Sequence, residues 1–151
     1  MEIAGKHIFD APREMVYRVL TDPETLRRTL PGCQKFDEQE DGSYAITLSI
    51  GIAAIKGTYT GTVRMLNENP PESYTLKMSA KGGVGFVDGQ GDFELAPEEK
   101  DPEKTLLTYK GEAHVGGKVA GLGQRVLGAG ANLIIGQFFR ALEKEVKHQD
   151  K

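Results

Sequence analysis

One cysteine, Cys33, is all the thiol in the 151-residue chain, so no internal disulfide can form. That suits a reducing cytoplasm. Clustered positive charge is lacking too. Nineteen Lys and Arg stand against 22 Asp and Glu, a formal net charge of −3, and no run of basic residues makes a stripe. No nucleic-acid partner is expected, because neutralising phosphates takes gathered cations. No apolar run reaches bilayer-spanning length. The N-terminus passes straight into polar–apolar alternation, without the pattern of a secretory leader. Repeats, linkers and low-complexity tracts are absent. What remains is 38% hydrophobic and 27% charged, with a length that fits one folded domain over residues 1–151.

Catalytic and metal-binding patterns are also scarce. His7 and His114 fall on strands and His148 in the tail, with no two at metal-ligand spacing on one element. Cys33 has no base beside it in sequence and reads as a small buried thiol. Gly111 to Val119 (GEAHVGGKV) fails as a phosphate loop twice, at Glu112 and at Val119. Gly83 to Gly91 (GVGFVDGQG) lacks dinucleotide-loop spacing, and bulges in a curved sheet explain its glycines better. Asp88, Asp92 and Glu94 share one strand face and read as a solvated outer surface.

What the chain does have is one long helical pattern, Leu122 to Lys147. Leu127, Gly130, Ile134, Phe138 and Ala141 recur at three- and four-residue steps, flanked by Val126, Leu133 and Leu142. They make one apolar stripe. At 1.5 Å per residue the helix is roughly 39 Å long. Gly128, Gly130 and Gly136 lie inside it, each costing about 0.5–1 kcal/mol relative to Ala. Two offsets are open. A strand passes very close to the helix, or space is kept beside it and the helix walls a cavity.

Ahead of the helix, alternation dominates. Glu2 to Phe9 reads as a strand with Ile3, His7 and Phe9 on one face. Asp10 caps and Pro12 opens a short helix through Met15, Val16, Val19 and Leu20; Asp22 and Pro23 open another through Leu26 and Leu30. Strands follow from Cys33 to Glu38, Tyr44 to Ile50, Thr58 to Leu66, Tyr74 to Met78, Phe86 to Leu95 and Leu107 to Val115. Turns at 40–42 and 81–83, a bend over 51–56, Pro70-Pro71 and a charged loop over 97–104 separate them. Short connections predict an antiparallel sheet, and the order predicts an α+β fold with the long helix across its concave face. A hollow between the two would be lined by Tyr59, Met65, Met78, Phe86, Phe93 and Tyr109 from the strands. Leu127, Gly130, Ile134 and Phe138 would line it from the helix. Ordinary core is the competing reading of each. The mouth is expected at the two short helices, which bury little and open readily, and at the Leu30–Cys33 turn, with Gly82 to Gly85 as the opposing lip.

Several pieces carry a resemblance: DPETL (22–26), LPGC (30–33), IKGTYTG (55–61), NPPESY (69–74), VGGKVAGLGQR (115–125) and Phe138-Phe139. In this order and spacing the chain resembles the helix-grip superfamily of START and birch-pollen-allergen-like domains. Within it, the sequence is similar to the G-subunit family of carbon monoxide dehydrogenase. The resemblance implies a curved seven-stranded antiparallel sheet wrapped round the C-terminal helix, with a cavity between them. It also implies service to a molybdenum hydroxylase of the carbon monoxide dehydrogenase type, at the cytoplasmic membrane. Tyr17 stands where the family usually has Trp. Many members carry a long tail, whereas this sequence ends at Lys151, so only transient membrane contact is expected.

The expected function is therefore a non-catalytic, cytoplasmic binding protein with no required cofactor. It would hold an isoprenoid or quinone-like ligand and serve membrane recruitment or electron transfer from the hydroxylase. Two alternatives stand beside it. A small hydrolase or cyclase would need His7, Tyr59, Tyr109 and Asp88 brought together. A pure docking or assembly factor would need no cavity.

Overall fold

Period-two alternation makes seven strands and the 3.6-residue stripes make three helices. The structure, a computed structural model, describes residues 1–52 and 55–149. Strand β1 (Glu2–Phe9) leads into helices α1 (Arg13–Thr21) and α2 (Pro23–Thr29). Six strands follow: β2 (Cys33–Glu38), β3 (Tyr44–Ile50), β4 (Gly57–Asn69), β5 (Ser73–Gly82), β6 (Gly85–Pro97) and β7 (Thr105–Gly116). A 3-10 turn (Lys118–Leu122) precedes helix α3 (Gln124–Gln149). Gly123, at φ 87°, ends that turn, so the helix starts two residues later than the apolar pattern alone implies.

All strand pairs are antiparallel, in the order β1-β7-β6-β5-β4-β3-β2. β1 and β2 thus stand at opposite edges, and α1 and α2 carry the chain between them. Asp22 caps α2: its carboxylate accepts from the Thr25 N–H at 3.0 Å, with Pro23 at the first helical position. Asp10 does not cap α1. The cap is Pro12, whose carbonyl accepts from the N–H groups of Met15 and Val16 at 3.1 Å.

The core lies at one end of the sheet. Phe9, Val16, Tyr17, Leu20, Leu95 and Leu107 meet Phe139, Leu142 and Val146 of α3 there. A second cluster joins Leu26 to Phe36, Ile46 and Val63. The two short helices are therefore built into the core, contrary to the expectation that they bury little. α3 is divided along its length. Its C-terminal half fills the core, while its N-terminal half exposes Leu133 at 52% and Val126 at 39%, although both flank the apolar stripe.

Candidate functional site

Small residues set the shape of the space under the N-terminal half of α3. On β6 and β7 the inward positions alternate with outward ones, and Gly89, Gly91, Gly111 and Ala113 are all inward. Register brings them together: Gly91 pairs with Gly111 and Gly89 with Ala113. The ladder from Phe86–Gly116 to Pro97–Thr105 runs unbroken, so these glycines are not bulges. They remove side chains from the floor, and a cavity of about 340 Å³ remains between floor and helix. Ala131, Ile134, Ile135, Phe138 and Phe139 form its roof. A ladder of rings closes the end toward the core: Tyr74 stacks on Phe93 at 4.9 Å, and Tyr109 lies 5.5 Å from Phe139. Gly5 makes room for Tyr109, since a Cβ there would collide with the phenol.

Of the expected lining residues, Met78, Phe93, Tyr109, Ile134 and Phe138 border this cavity. Tyr59, Met65, Phe86, Leu127 and Gly130 do not. Phe86 fails on parity: it is seven residues from Phe93 on one strand, hence on the outer face, 47% exposed and lying over Gly116. Tyr59 faces inward at the far end, where its hydroxyl donates to the Ile55 carbonyl at 2.7 Å. Met65 packs into the second core cluster. Gly130 is buried, and a Cβ on it would meet the Ile55 side chain at 3.4 Å. No strand backbone comes within 4 Å of such a Cβ on Gly128, Gly130 or Gly136. A closely passing strand is thus not what offsets these glycines. Reading by residue type passed over Ile3, Leu76 and the four small floor residues, although their inward parity was visible, and Leu30, which sits at the C-terminal cap of α2.

Lys110, Glu112 and Gln90 border the cavity as well, but alternation turns their side chains outward. Among the polar candidates only Tyr109 lines it. Asp88 is on the outer face, bonded to the Ser79 hydroxyl at 2.5 Å. His7 faces inward beyond the cavity, stacked on Phe139 at 5.0 Å, with Nε2 2.5 Å from a Glu143 carboxylate oxygen. The four are not assembled around one point. Burial pushes the Tyr17 phenol above its ordinary range, and its hydroxyl donates to the Ser73 carbonyl. Burial likewise raises the Cys33 thiol, which leaves it a poor nucleophile. Among the described residues no group of three His, Cys, Asp or Glu could hold a metal ion.

A second, smaller cleft of about 290 Å³ opens beside the α2–β2 turn, lined by Pro31, Gly32, Ser49, Gly51, Ile134 and Gln137 among others. It lies at the expected Leu30–Cys33 mouth. Gly82 and Gly85, expected as the opposite lip, border neither space.

These features have counterparts in known proteins. A conserved protein from Geobacillus kaustophilus is 36% identical, with 98% of this chain and 96% of that one covered and a TM-score of 0.93. A START superfamily protein from Mycobacterium smegmatis shares the fold at 14% identity, with 98% of each chain covered and a TM-score of 0.73. The di-domain ARO/CYC BexL does so at 15% identity and a TM-score of 0.70, over 97% of this chain and 46% of that one. No curated protein matches in sequence. Among the described residues no helix is long and apolar enough to cross a membrane. The family model for the carbon monoxide dehydrogenase G subunit (CoxG) matches residues 5–147. Seven antiparallel strands gripping one long helix, with an apolar hollow between them, are thus the frame of a START-like domain, and the chain belongs to CoxG, the G-subunit family of carbon monoxide dehydrogenase.

Proposed function

We propose that the chain is a non-catalytic carrier that holds an isoprenoid or quinone-like molecule under α3. It serves a molybdenum hydroxylase of the carbon monoxide dehydrogenase type, in membrane recruitment or in electron transfer to the respiratory chain. One observation carries the reading: about 340 Å³ of space walled by inward apolar side chains and bare glycine backbone. A space of this size is within the range of ligand pockets, roughly 300–1,000 Å³. Left empty it forfeits packing, whereas a ligand filling it gains about 0.8 kcal/mol per buried CH₂. The family supports the partner, since it is named for that enzyme. A lipid ligand also motivates brief contact with a membrane, where quinones reside.

Mass spectrometry of organic extracts of the purified protein tests the carrier. An isoprenoid in stoichiometric amount is expected. No extracted lipid, together with no binding of added quinone, would overturn the reading. Co-purification with the hydroxylase tests the partner separately.

A further inference from the structure

An open sheet has two edges, and here they are finished differently. At β2 the pairing slips between Cys33 and Lys35, and the Arg27 guanidinium of α2 donates to the Phe36 carbonyl at 3.2 Å. Both devices blunt an edge. β1 has neither: all eight of its residues pair with β7 without a shift. Met1 and Ala113 exchange both of their main-chain bonds, at 2.8 and 2.9 Å. Bonded and non-bonded pairs alternate along an antiparallel ladder, so the odd residues of β1 turn their N–H and C=O groups to β7. Those of Glu2, Ala4, Lys6 and Ile8 point off the sheet. Among the described residues no hydrogen bond reaches them. α3 meets β1 on the concave face instead, where His7 stacks on Phe139 and pairs with Glu143. The side chains of the even residues lie on the outer face and are exposed. Glu2 stands opposite Glu112, a like charge, with Lys110 only on the diagonal, and Lys6 stands opposite Thr108. Among the described residues neither Glu2 nor Lys6 makes a salt bridge.

We infer that β1 pairs antiparallel with β1 of a second copy of this chain, in the register centred on Ala4, so that the sheet continues across a two-fold axis. Charge selects both the occupant and the register. Centred on Ala4, each Glu2 faces Lys6 of the partner subunit, and both charges gain the opposite charge that their own sheet denies them. Centred on Lys6, two lysines would collide. Centred on Gly5, Glu2 would face Ile8 and Lys6 would face Ala4, with no charge matched. The Ala4 register also joins the even residues, whose main-chain groups are the free ones, and forms about six hydrogen bonds. Met1 and Ile3 border the apolar cavity, so the axis brings one margin of each cavity together. The pairing stands whatever the cavity holds.

Sedimentation equilibrium of the full chain tests it. One strand pair is a small interface, so a concentration-dependent dimer is expected, with Kd on the order of 10–100 μM. Lys6→Glu sets acid against acid on both sides of the axis and is expected to weaken the dimer at least about tenfold. Glu2→Lys combined with Lys6→Glu restores opposite charges and should return the dimer to within about threefold of wild type. Ala4→Pro removes an N–H that only the second copy uses, at a place where edge strands accept proline. It should leave circular dichroism unchanged and abolish the dimer. In a Cys33→Ala background, Ala4→Cys should join two copies by a disulfide on mild oxidation, since the register sets Ala4 against itself. Ile8→Cys should not, because its position falls beyond the start of the partner's strand. A chain that stays monomeric up to about 1 mM would overturn the inference. So would a dimer indifferent to Lys6→Glu and Ala4→Pro, which would have to form through another surface.

Discussion

Gly128 and Gly111 make opposite statements about space. A Cβ on Gly128 meets nothing within 4 Å, so Gly128→Ala is expected to gain helix propensity, up to about 1 kcal/mol. A Cβ on Gly111 would lie 2.6 Å from the Gln90 carbonyl oxygen, which is backbone and cannot turn aside. Gly111→Ala is expected to cost about 1–3 kcal/mol by overpacking. Urea midpoints of the two variants should move in opposite directions. Charge makes a third case. Arg28 donates from Nε and Nη2 to the two Glu145 oxygens, at 2.8 and 3.2 Å, tying α2 to α3. That bond holds the Glu145 carboxyl below its ordinary range. A depressed folded-state pKa stabilises above the unfolded value and loses its effect as pH falls through the folded one. Arg28 is 52% exposed, so solvent screens the pair. Glu145→Gln is expected to cost less than about 1 kcal/mol at neutral pH. It should cost nothing once the medium is acidic enough to protonate Glu145 in the fold, as urea unfolding at both pH values would show.

At the scale of elements, α3 divides into a core half and a cavity half. Leu142 is fully buried among α1, β1 and β7, and Leu142→Ala is expected to cost about 2–5 kcal/mol. Leu133, equally apolar and nine residues earlier, should move stability by no more than about 0.5 kcal/mol when cut to Ala. Calorimetric midpoints of the pair check the division. Ala131 lies between these regimes, in the roof of the cavity. Ala131→Phe is expected to keep the fold and to lower extractable lipid sharply. Unchanged lipid content would mean the ligand lies elsewhere. Helical periodicity made the existence of α3 legible. It did not show that the stripe serves two purposes, because Leu133 and Leu142 look alike until the sheet's extent is known. Helix starts were legible where a side chain caps, as Asp22 does, and misread at Asp10, where the Pro12 backbone caps instead.

For the whole molecule, protection from exchange should follow the core, not element length. Helices α1 and α2 bury Val16, Val19, Leu20 and Leu26 and are expected to exchange slowly with the central strands. The 3-10 turn and the first turns of α3, over 118–128, have few buried side chains and should exchange fastest among the regular elements. Hydrogen exchange followed by mass spectrometry would show it, and uniform protection of α3 would contradict it. The sequence by itself determined the order of elements, the antiparallel sheet and the faces of most strands. Those features follow from local periods and turn chemistry, which residues close in the chain carry together. Only the tertiary structure decided the cavity. Gly91 and Gly111 are twenty positions apart and share a floor only through strand register. Ile134 joins two spaces only because α3 lies across both. A cavity is volume that several elements together leave unfilled, and no local pattern records how far apart those elements come to rest.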